Sequence, residues 1–513
     1  MAGAPPRTGR DVSSLHQTST TGALRPAPPA ALSRARELIV REAALIVTCA
    51  CVAIIFLTNL GVQIAADSWL NLLGGREILN HGIPHHDTLA VLSRGREWID
   101  QQWLANLAYY GLYALGGLGL AARVNIFLFV ATLALVFVFA RRRGATSLSV
   151  MLAAIPMCVV GLEFIRAQVL TEPLFVLLLA LLVSESRNPT RRVVLAFPLL
   201  VLWANIHGSV VLGAALVALL GVVEAVKARR SGLLRPALLT LLPWPCIFAS
   251  PYGLHLTSYY SSTLHNPVFP KYLTEWAPPP PLSIWGIPLF ALAAVGIFLV
   301  GRHSHAWTAF EKGAFALTLV GGLLAVRSIP WFTITGALLL PTLLDLERRG
   351  KPVTSTERQR AVALGGVAIS LLLVVHGLAS PGNSTATDWP DGATTQVTNV
   401  LRADPSARVL ATYELADWIL FRVPEARGRI AFDGRWEILP PSQFRKIMDF
   451  HGHRNLSAGH VARGYRLLVI DPQGERALAR TFEHQPGARV LFRGSRVVVI
   501  DRGRGADRSP RSG

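Results

Sequence analysis

The sequence predicts an α-helical polytopic membrane protein of about eleven transmembrane helices, followed by a small C-terminal extracytoplasmic α/β domain. Of the 513 residues, 51% are hydrophobic and 16% charged, with a mean hydropathy of +0.41. A soluble domain carries roughly a quarter charged residues. Apolar runs approaching the ~18 residues that cross a bilayer recur at 42–62, 119–140, 146–162, 168–184, 193–208, 209–226, 234–250, 283–301, 312–326, 329–346 and 361–379. Beyond residue 380 the pattern changes. Short β-like runs at Arg408-Val-Leu-Ala-Thr, Arg466-Leu-Leu-Val-Ile and Arg496-Val-Val-Val-Ile alternate with polar turns, which reads as an α/β domain over 380–503.

The ends are plainer. Residues 1–41 are rich in Pro, Ala, Ser, Thr and Arg without apolar periodicity, as expected of a disordered cytoplasmic tail, and 504–513 reads as a frayed C-terminus. Cys49, Cys51, Cys158 and Cys246 all fall within apolar runs, so they read as small buried hydrophobes rather than as disulfides or metal ligands.

The formal charge of +19 is a topology signal. With residue 1 placed inside, the cytoplasmic segments up to 379 hold 23 Lys and Arg and the opposite side holds 7. That asymmetry places the N-terminus in the cytoplasm and the C-terminal domain outside a cell membrane crossed many times. Membrane lipids are therefore a partner, and the basic pI calls for no nucleic acid.

Three segments then face outward: loop 63–118, loop 251–282 and the tail. Two amphipathic stretches, Asp67 to Leu79 and Trp103 to Tyr113, are expected to lie flat at the interface. Ionisable groups at membrane depth are costly, so each is a functional candidate until a partner explains it. Asp67, directly after the first span, is either a carboxylate poised between lipid-borne substrate and water or the N-cap of the following helix. Asp87 follows His85 and His86 in a loop with Gly82 and Pro84. A turn fits that run better than a zinc site, with Asp87 a second carboxylate over the same cavity. Asp100 and its flanking Trp98 and Trp103 either anchor the loop or stack on a sugar. Arg166 is expected to pair with Glu163 or Glu172, or to grip a phosphate, as is Arg327. Asn205 and His207 end the 193–208 run, and Glu275 is the remaining acid of the second loop. These groups gather on the outer face, where no ATP is available, and no Gly-rich phosphate loop occurs in the chain.

Several motifs resemble the GT-C superfamily of integral-membrane glycosyltransferases. They are Asp67-Ser-Trp, Gly75-Arg-Glu-Ile-Leu-Asn-His-Gly-Ile-Pro-His-His-Asp, Trp98-Ile-Asp-Gln-Gln-Trp-Leu, Asn205-Ile-His-Gly, Ser250-Pro-Tyr-Gly, Glu275-Trp, Tyr413-Glu…Asp417-Trp and Phe432-Asp-Gly-Arg. The resemblance implies transfer of a sugar from a polyprenyl-phosphate donor to an extracytoplasmic glycan, lipid or protein acceptor, by a single inverting displacement. It maps the general base onto Asp67, with Asp87 as the second carboxylate because residues 65 and 66 are Ala. Arg166, Arg327 and His207 would stabilise the leaving phosphate, and Asn205, Glu275 and Trp103 would line the substrate site. No cofactor is expected, and the residues do not indicate a divalent metal. The alternatives are a transporter or flippase, or a non-catalytic envelope-assembly protein.

Overall fold

The structure, a computed structural model, describes residues 42–58, 64–161, 165–228, 232–348, 389–452 and 461–503. The expected tails 1–41 and 504–513 and the expected span 361–379 lie outside the described residues.

The apolar runs fold as helices because consecutive spans leave each backbone N–H and C=O no other partner in lipid. In order these are α1 Ala43–Thr58, α2 Ala66–His81, α3 Trp103–Arg142, α4 Ser147–Val160, α5 Ala167–Arg187, α6 Ala196–Ala204, α7 Val210–Lys227, α8 Leu234–Leu241 and α9 Pro243–Ile247. After the second loop, with α10 Leu256–Leu264 and α11 Phe269–Tyr272, come α12 Gly286–Arg302, α13 Ala309–Leu324 and α14 Ile329–Glu347.

Among the described residues, four helical segments are long and apolar enough to cross a membrane: Trp103–Arg142, Ala167–Arg187, Val210–Lys227 and Val326–Glu347. Four more, Ala43–Leu57, Ser147–Val160, Leu234–Ile247 and Gly286–Arg302, are apolar but shorter. The figure of about eleven spans is therefore not reached by full-length helices among the described residues. Proline is one reason. The expected 234–250 span breaks at Pro243, and the 193–208 span resolves into a 3-10 turn at Arg191–Leu195 plus the short α6. Proline ends a helix by clashing with the preceding turn and by lacking an N–H.

The first amphipathic stretch forms α2, and the second opens α3, which continues without a loop into the membrane-spanning run. The two parts of α3 meet at Gly116 and Gly117, where the backbone leaves helical values and Gly117 reaches φ 67°. That is a left-handed conformation glycine adopts at no steric cost. α2 lies directly on the first part of α3, since a Cβ on Gly75 would fall 2.2 Å from the Asn106 carbonyl oxygen.

The tail has the expected α/β character. Its elements are α15 Asp391–Ala403, β1 Val409–Ala411, α16 Tyr413–Arg422, α17 Pro441–His451, β2 Leu467–Ile470, α18 Arg476–Glu483, β3 Arg489–Arg493 and β4 Val498–Asp501. The sheet order is β1-β2-β4-β3, with β1 parallel to β2 and the other pairs antiparallel. β1, β2 and β4 are buried along their length, consistent with their unbroken runs of Val, Leu and Ile.

The tail does not stand apart from the first loop. Trp69, Leu72 and Leu73 of α2 and Tyr109 of α3 share one core with Val409, Leu415, Trp418 and Ile419. Loop residues Val91 and Leu92 donate to the carbonyls of Ile430 and Ala431 at 2.8 and 3.0 Å. This continues the sheet into the loop and carries the next tail residues, Phe432 to Glu437, toward α2.

Candidate functional site

Asp67 sits in the first turn of α2, and the N-cap is Ala65, so the capping role expected for it is not the one it fills. Ser68 and Asn71, one turn along, bond the carbonyl of Ile165 at 3.2 and 3.3 Å. The hydroxyl of Tyr109 lies 3.0 Å from the Arg166 carbonyl. These contacts hold the start of α5 against α2, and Arg166 Nη2 meets Asp67 Oδ2 at 2.6 Å. The same nitrogen lies 3.1 Å from Glu275 Oε2, and Arg327 Nη1 lies 3.9 Å from Glu275 Oε1. Arg327 also covers the ring of Trp276 at 4.2 Å, and Val326 N donates to the Ala277 carbonyl, which fixes the two loops together.

Asp67, Arg166, Glu275, Arg327 and His207 thus line one polar cavity of about 150 Å³. Burial opposes ionisation of Glu275, but Arg327 and Arg166 outweigh it and hold the carboxyl below its ordinary range. His207, in the turn between α6 and α7, is pushed down to about 3 by burial and by Arg327 and Arg166. It is a neutral imidazole whose Nδ1 lies 2.7 Å from Ser209 Oγ.

Three expected site residues are placed elsewhere. Asp87 is a correction: its side chain is fully buried outside the cavity lining and is bonded by Ser93, by Leu89 N and by Arg435 Nη2 at 2.7 Å. It is the anchor of Arg435, not a second carboxylate beside Asp67. His85 packs on Tyr252 and His86 pairs with Glu97 through backbone, so the three consecutive side chains take separate directions. Trp103 and Asn205 bond each other, Nε1 to Oδ1 at 2.9 Å, and Asn205 Nδ2 holds the carbonyls of Val201 and Ala249. This clamp docks the start of α3 on the end of α6. Trp103→Phe is therefore expected to cost about 1 kcal/mol of stability while leaving ligand affinity unchanged, as thermal unfolding and binding assays on the same preparation would show. Glu163, one expected partner of Arg166, lies outside the described residues.

Other residues reach the cavity as well. Gly434, Arg435, Trp436 and Glu437, to which the sequence assigned no role, come from the tail, and Asp100 comes from the loop. Arg435 is buried, lies over Trp98 at 4.1 Å and pairs with both Asp87 and Asp433; its Nη1 has no hydrogen-bond partner among the described residues. Asp100 is pushed up to about 6 by burial, against two 2.9 Å contacts from Asn106 Nδ2. Asp417 of α16 shares a side cavity of about 250 Å³ with Asp67 and Arg166. Burial, with Asp433 and Asp67 close by, raises its carboxyl well above the ordinary range, against a hydrogen bond from Gly434 N at 3.0 Å. Gly434 is needed here, since a Cβ would fall 2.6 Å from Asp417 Oδ2.

Glu437 is raised from 4.5 to about 7, chiefly by burial. Below pH 4.5 it is neutral whether the chain is folded or not; as pH rises toward 7 the unfolded chain ionises first, so its contribution to stability is lost across that window. Glu437→Gln removes the loss. The variant's unfolding temperature should gain on the wild type between about pH 5 and about pH 8, and a gap that stays constant would refute the assignment.

A second, more apolar cavity of about 420 Å³ adjoins the first. Val211 and Leu212 of α7, Leu317 and Leu324 of α13 and Trp331 of α14 wall it, and His207, Trp276 and Arg327 belong to both cavities. Among the described residues no three His, Cys, Asp or Glu side chains are grouped to share a metal ion.

No family model and no curated protein matches the sequence. Solved structures do. The archaeal oligosaccharyltransferase AglB from Archaeoglobus fulgidus, in complex with an inhibitory peptide and a dolichol-phosphate, aligns with 88% of this chain and 72% of its own, at TM-score 0.55 and 13% identity. The arabinofuranosyltransferase AftD from Mycobacteria aligns at TM-score 0.52 and 17% identity over 90% of this chain, which spans 40% of AftD. ArnT from Cupriavidus metallidurans bound to undecaprenyl phosphate aligns over 93% of this chain and all of its own, at TM-score 0.47 and 14% identity. The fold is that of the GT-C glycosyltransferases.

Proposed function

We propose that this chain, with its GT-C fold, is a membrane glycosyltransferase that takes a sugar from a polyprenyl-phosphate donor and passes it to an acceptor at the extracytoplasmic face. The observation that carries the reading is the junction of the two cavities at Arg327. A ligand with a charged head and a long apolar tail fits a polar cavity lined by Arg166, Arg327 and Arg435 that opens into an apolar cavity between helices. The dolichol-phosphate of the AglB complex is a molecule of that kind.

In this reading the acceptor hydroxyl attacks the anomeric carbon as the bond to the phosphate oxygen breaks, and its proton passes to Asp67. Arg327 and Arg166 take up the negative charge that develops on the leaving phosphate. Neutral His207 adds polarity without competing for the phosphate's counter-charge. Before the donor arrives, Arg166 is held by Asp67 and Glu275. A phosphate competing for that guanidinium frees Asp67 as a base at the moment the leaving group is in place, which couples donor binding to activation. Asp417, its carboxyl shifted toward the protonated form by burial and by Asp433, stands as the second acid beside Asp67 in place of Asp87. The excess of Lys and Arg at the other ends of the helices supports placing the N-terminus inside and the cavity outside.

The test is binding of a polyprenyl phosphate and the matching polyprenyl alcohol, followed by quenching of tryptophan fluorescence, since Trp276 and Trp331 line the apolar cavity. The phosphate should bind at least about tenfold more tightly than the alcohol, and Arg327→Gln should erase the difference. Equal affinities for the two lipids would sink the reading.

A further inference from the structure

α5 and α14 start just after Arg166 and Arg327; from their middles onward, about 16 Å away at Leu177 and Leu338 and about 30 Å away at Arg187 at 1.5 Å per residue, they border another cavity together with the end of α3. It has a volume of about 690 Å³. Its walls are apolar, with Leu177 and Leu181 from α5 and Leu338 from α14. Its rim carries four guanidinium groups: Arg142 and Arg143 at the end of α3, Arg187 at the end of α5, and Arg192 in the following turn.

The acids nearby are already committed. Glu311 is fully buried behind the rim, 2.7 Å from Arg143 Nη2 and 2.8 Å from Arg187 Nη2, and also accepts from Thr308 N in a capping box. Glu185 accepts from Arg235 and from Thr190 N. The rim therefore keeps a net positive charge. Arg142 and Arg192 are exposed, while Nε and Nη1 of Arg143 are shut off from solvent and find no hydrogen-bond partner among the described residues. The inside-positive bias explains arginines in loops. It does not explain why four of them border one leucine-walled cleft between three helices.

We propose that this cleft binds an anionic phospholipid, its phosphate held by Arg142 and Arg192 with Arg143 and Arg187 adding positive charge behind them, and an acyl chain lying against Leu177, Leu181 and Leu338. A guanidinium fork matches a phosphate oxygen pair, and basic pockets between membrane helices hold anionic head groups in this manner. The site is separate from the donor cavity, at the other end of the same helices, and stands or falls independently of it.

Native mass spectrometry of the full chain, with phosphatidylglycerol or phosphatidylcholine added to the detergent solution, tests it. Wild type should retain phosphatidylglycerol at least tenfold better than phosphatidylcholine, and the exposed double variant R142Q/R192Q should lose about fivefold per charge removed. Retention of a polyprenyl phosphate by that variant should not change. Equal retention of the two phospholipids, or a double variant that behaves as wild type, overturns the proposal. Displacement of phosphatidylglycerol by equimolar inorganic phosphate would assign the cleft to a free anion and overturn the lipid assignment.

Discussion

Asp67→Asn should lower sugar transfer by on the order of 10²–10⁴-fold, the range a positioned general base contributes, with little change in stability and with donor affinity kept or raised, because the phosphate no longer competes with a carboxylate for Arg166. The substitution keeps the shape and the hydrogen bond toward Arg166 while removing the ability to take a proton. The Asp67–Arg166 pair at 2.6 Å is substantially exposed, with side-chain exposures of 46% and 30%, and ion pairs so exposed contribute between nothing and about 1 kcal/mol. An unchanged unfolding temperature beside a collapsed turnover number is thus the signature. If turnover survives in the Asn variant, Asp67 has no part in proton transfer.

Arg435→Met should act in the opposite way, on the fold first. Removing the guanidinium strands Asp87 and Asp433, both at least 96% buried, without a counter-charge. Losing one partner of a buried pair costs about 3–5 kcal/mol. Asp87 sits in the loop and Asp433 in the tail, so the damage falls where these two parts of the chain meet. The double variant Asp87→Asn/Arg435→Met should recover part of the loss, because the energies of directly bonded groups do not add. Thermal unfolding in detergent measures both; a single variant as stable as wild type would show that the buried charges are relieved in some other way.

The contrast between these two residues shows what is legible in a sequence of this kind. Asp67, Arg166, His207, Glu275 and Arg327 could be picked out because a charged or polar group at the outer end of an apolar run is expensive wherever it points. They do come together in one cavity. Asp87, Asn205 and Trp103 carry the same local signal, yet their partners lie 348 and 102 residues away, and no local pattern shows that a polar group is already engaged. Asp417 and Glu437 were harder still. Each owes its raised pKa to burial that exists only after the tail has folded onto α2 and the loop. Arg435 belonged to a quoted motif, Phe432-Asp-Gly-Arg, but the motif alone said nothing about Trp98 beneath it. The strands at 409, 467 and 498 were readable from their Val and Ile runs. The span count was not, because hydropathy measures greasiness over a window and is blind to the places where proline ends a helix within it.

The break at Gly116 and Gly117 carries a mechanical consequence. A straight helix of 40 residues would be about 60 Å long, a rigid lever running from the polar cavity through the whole bilayer. Every change in lipid thickness tilts a spanning helix, and such a lever would transmit that tilt to Asp100, Gln102 and Asn106 at its head. The glycine pair sets a bend in place of that rod. Across it the Tyr109 hydroxyl donates to Asn125 Oδ1 at 2.8 Å, and Leu118, Ala121 and Ala122 pack into the same core as α2 and the tail, so the first turns of the spanning run are anchored to the outer layer together with Trp103 to Leu115.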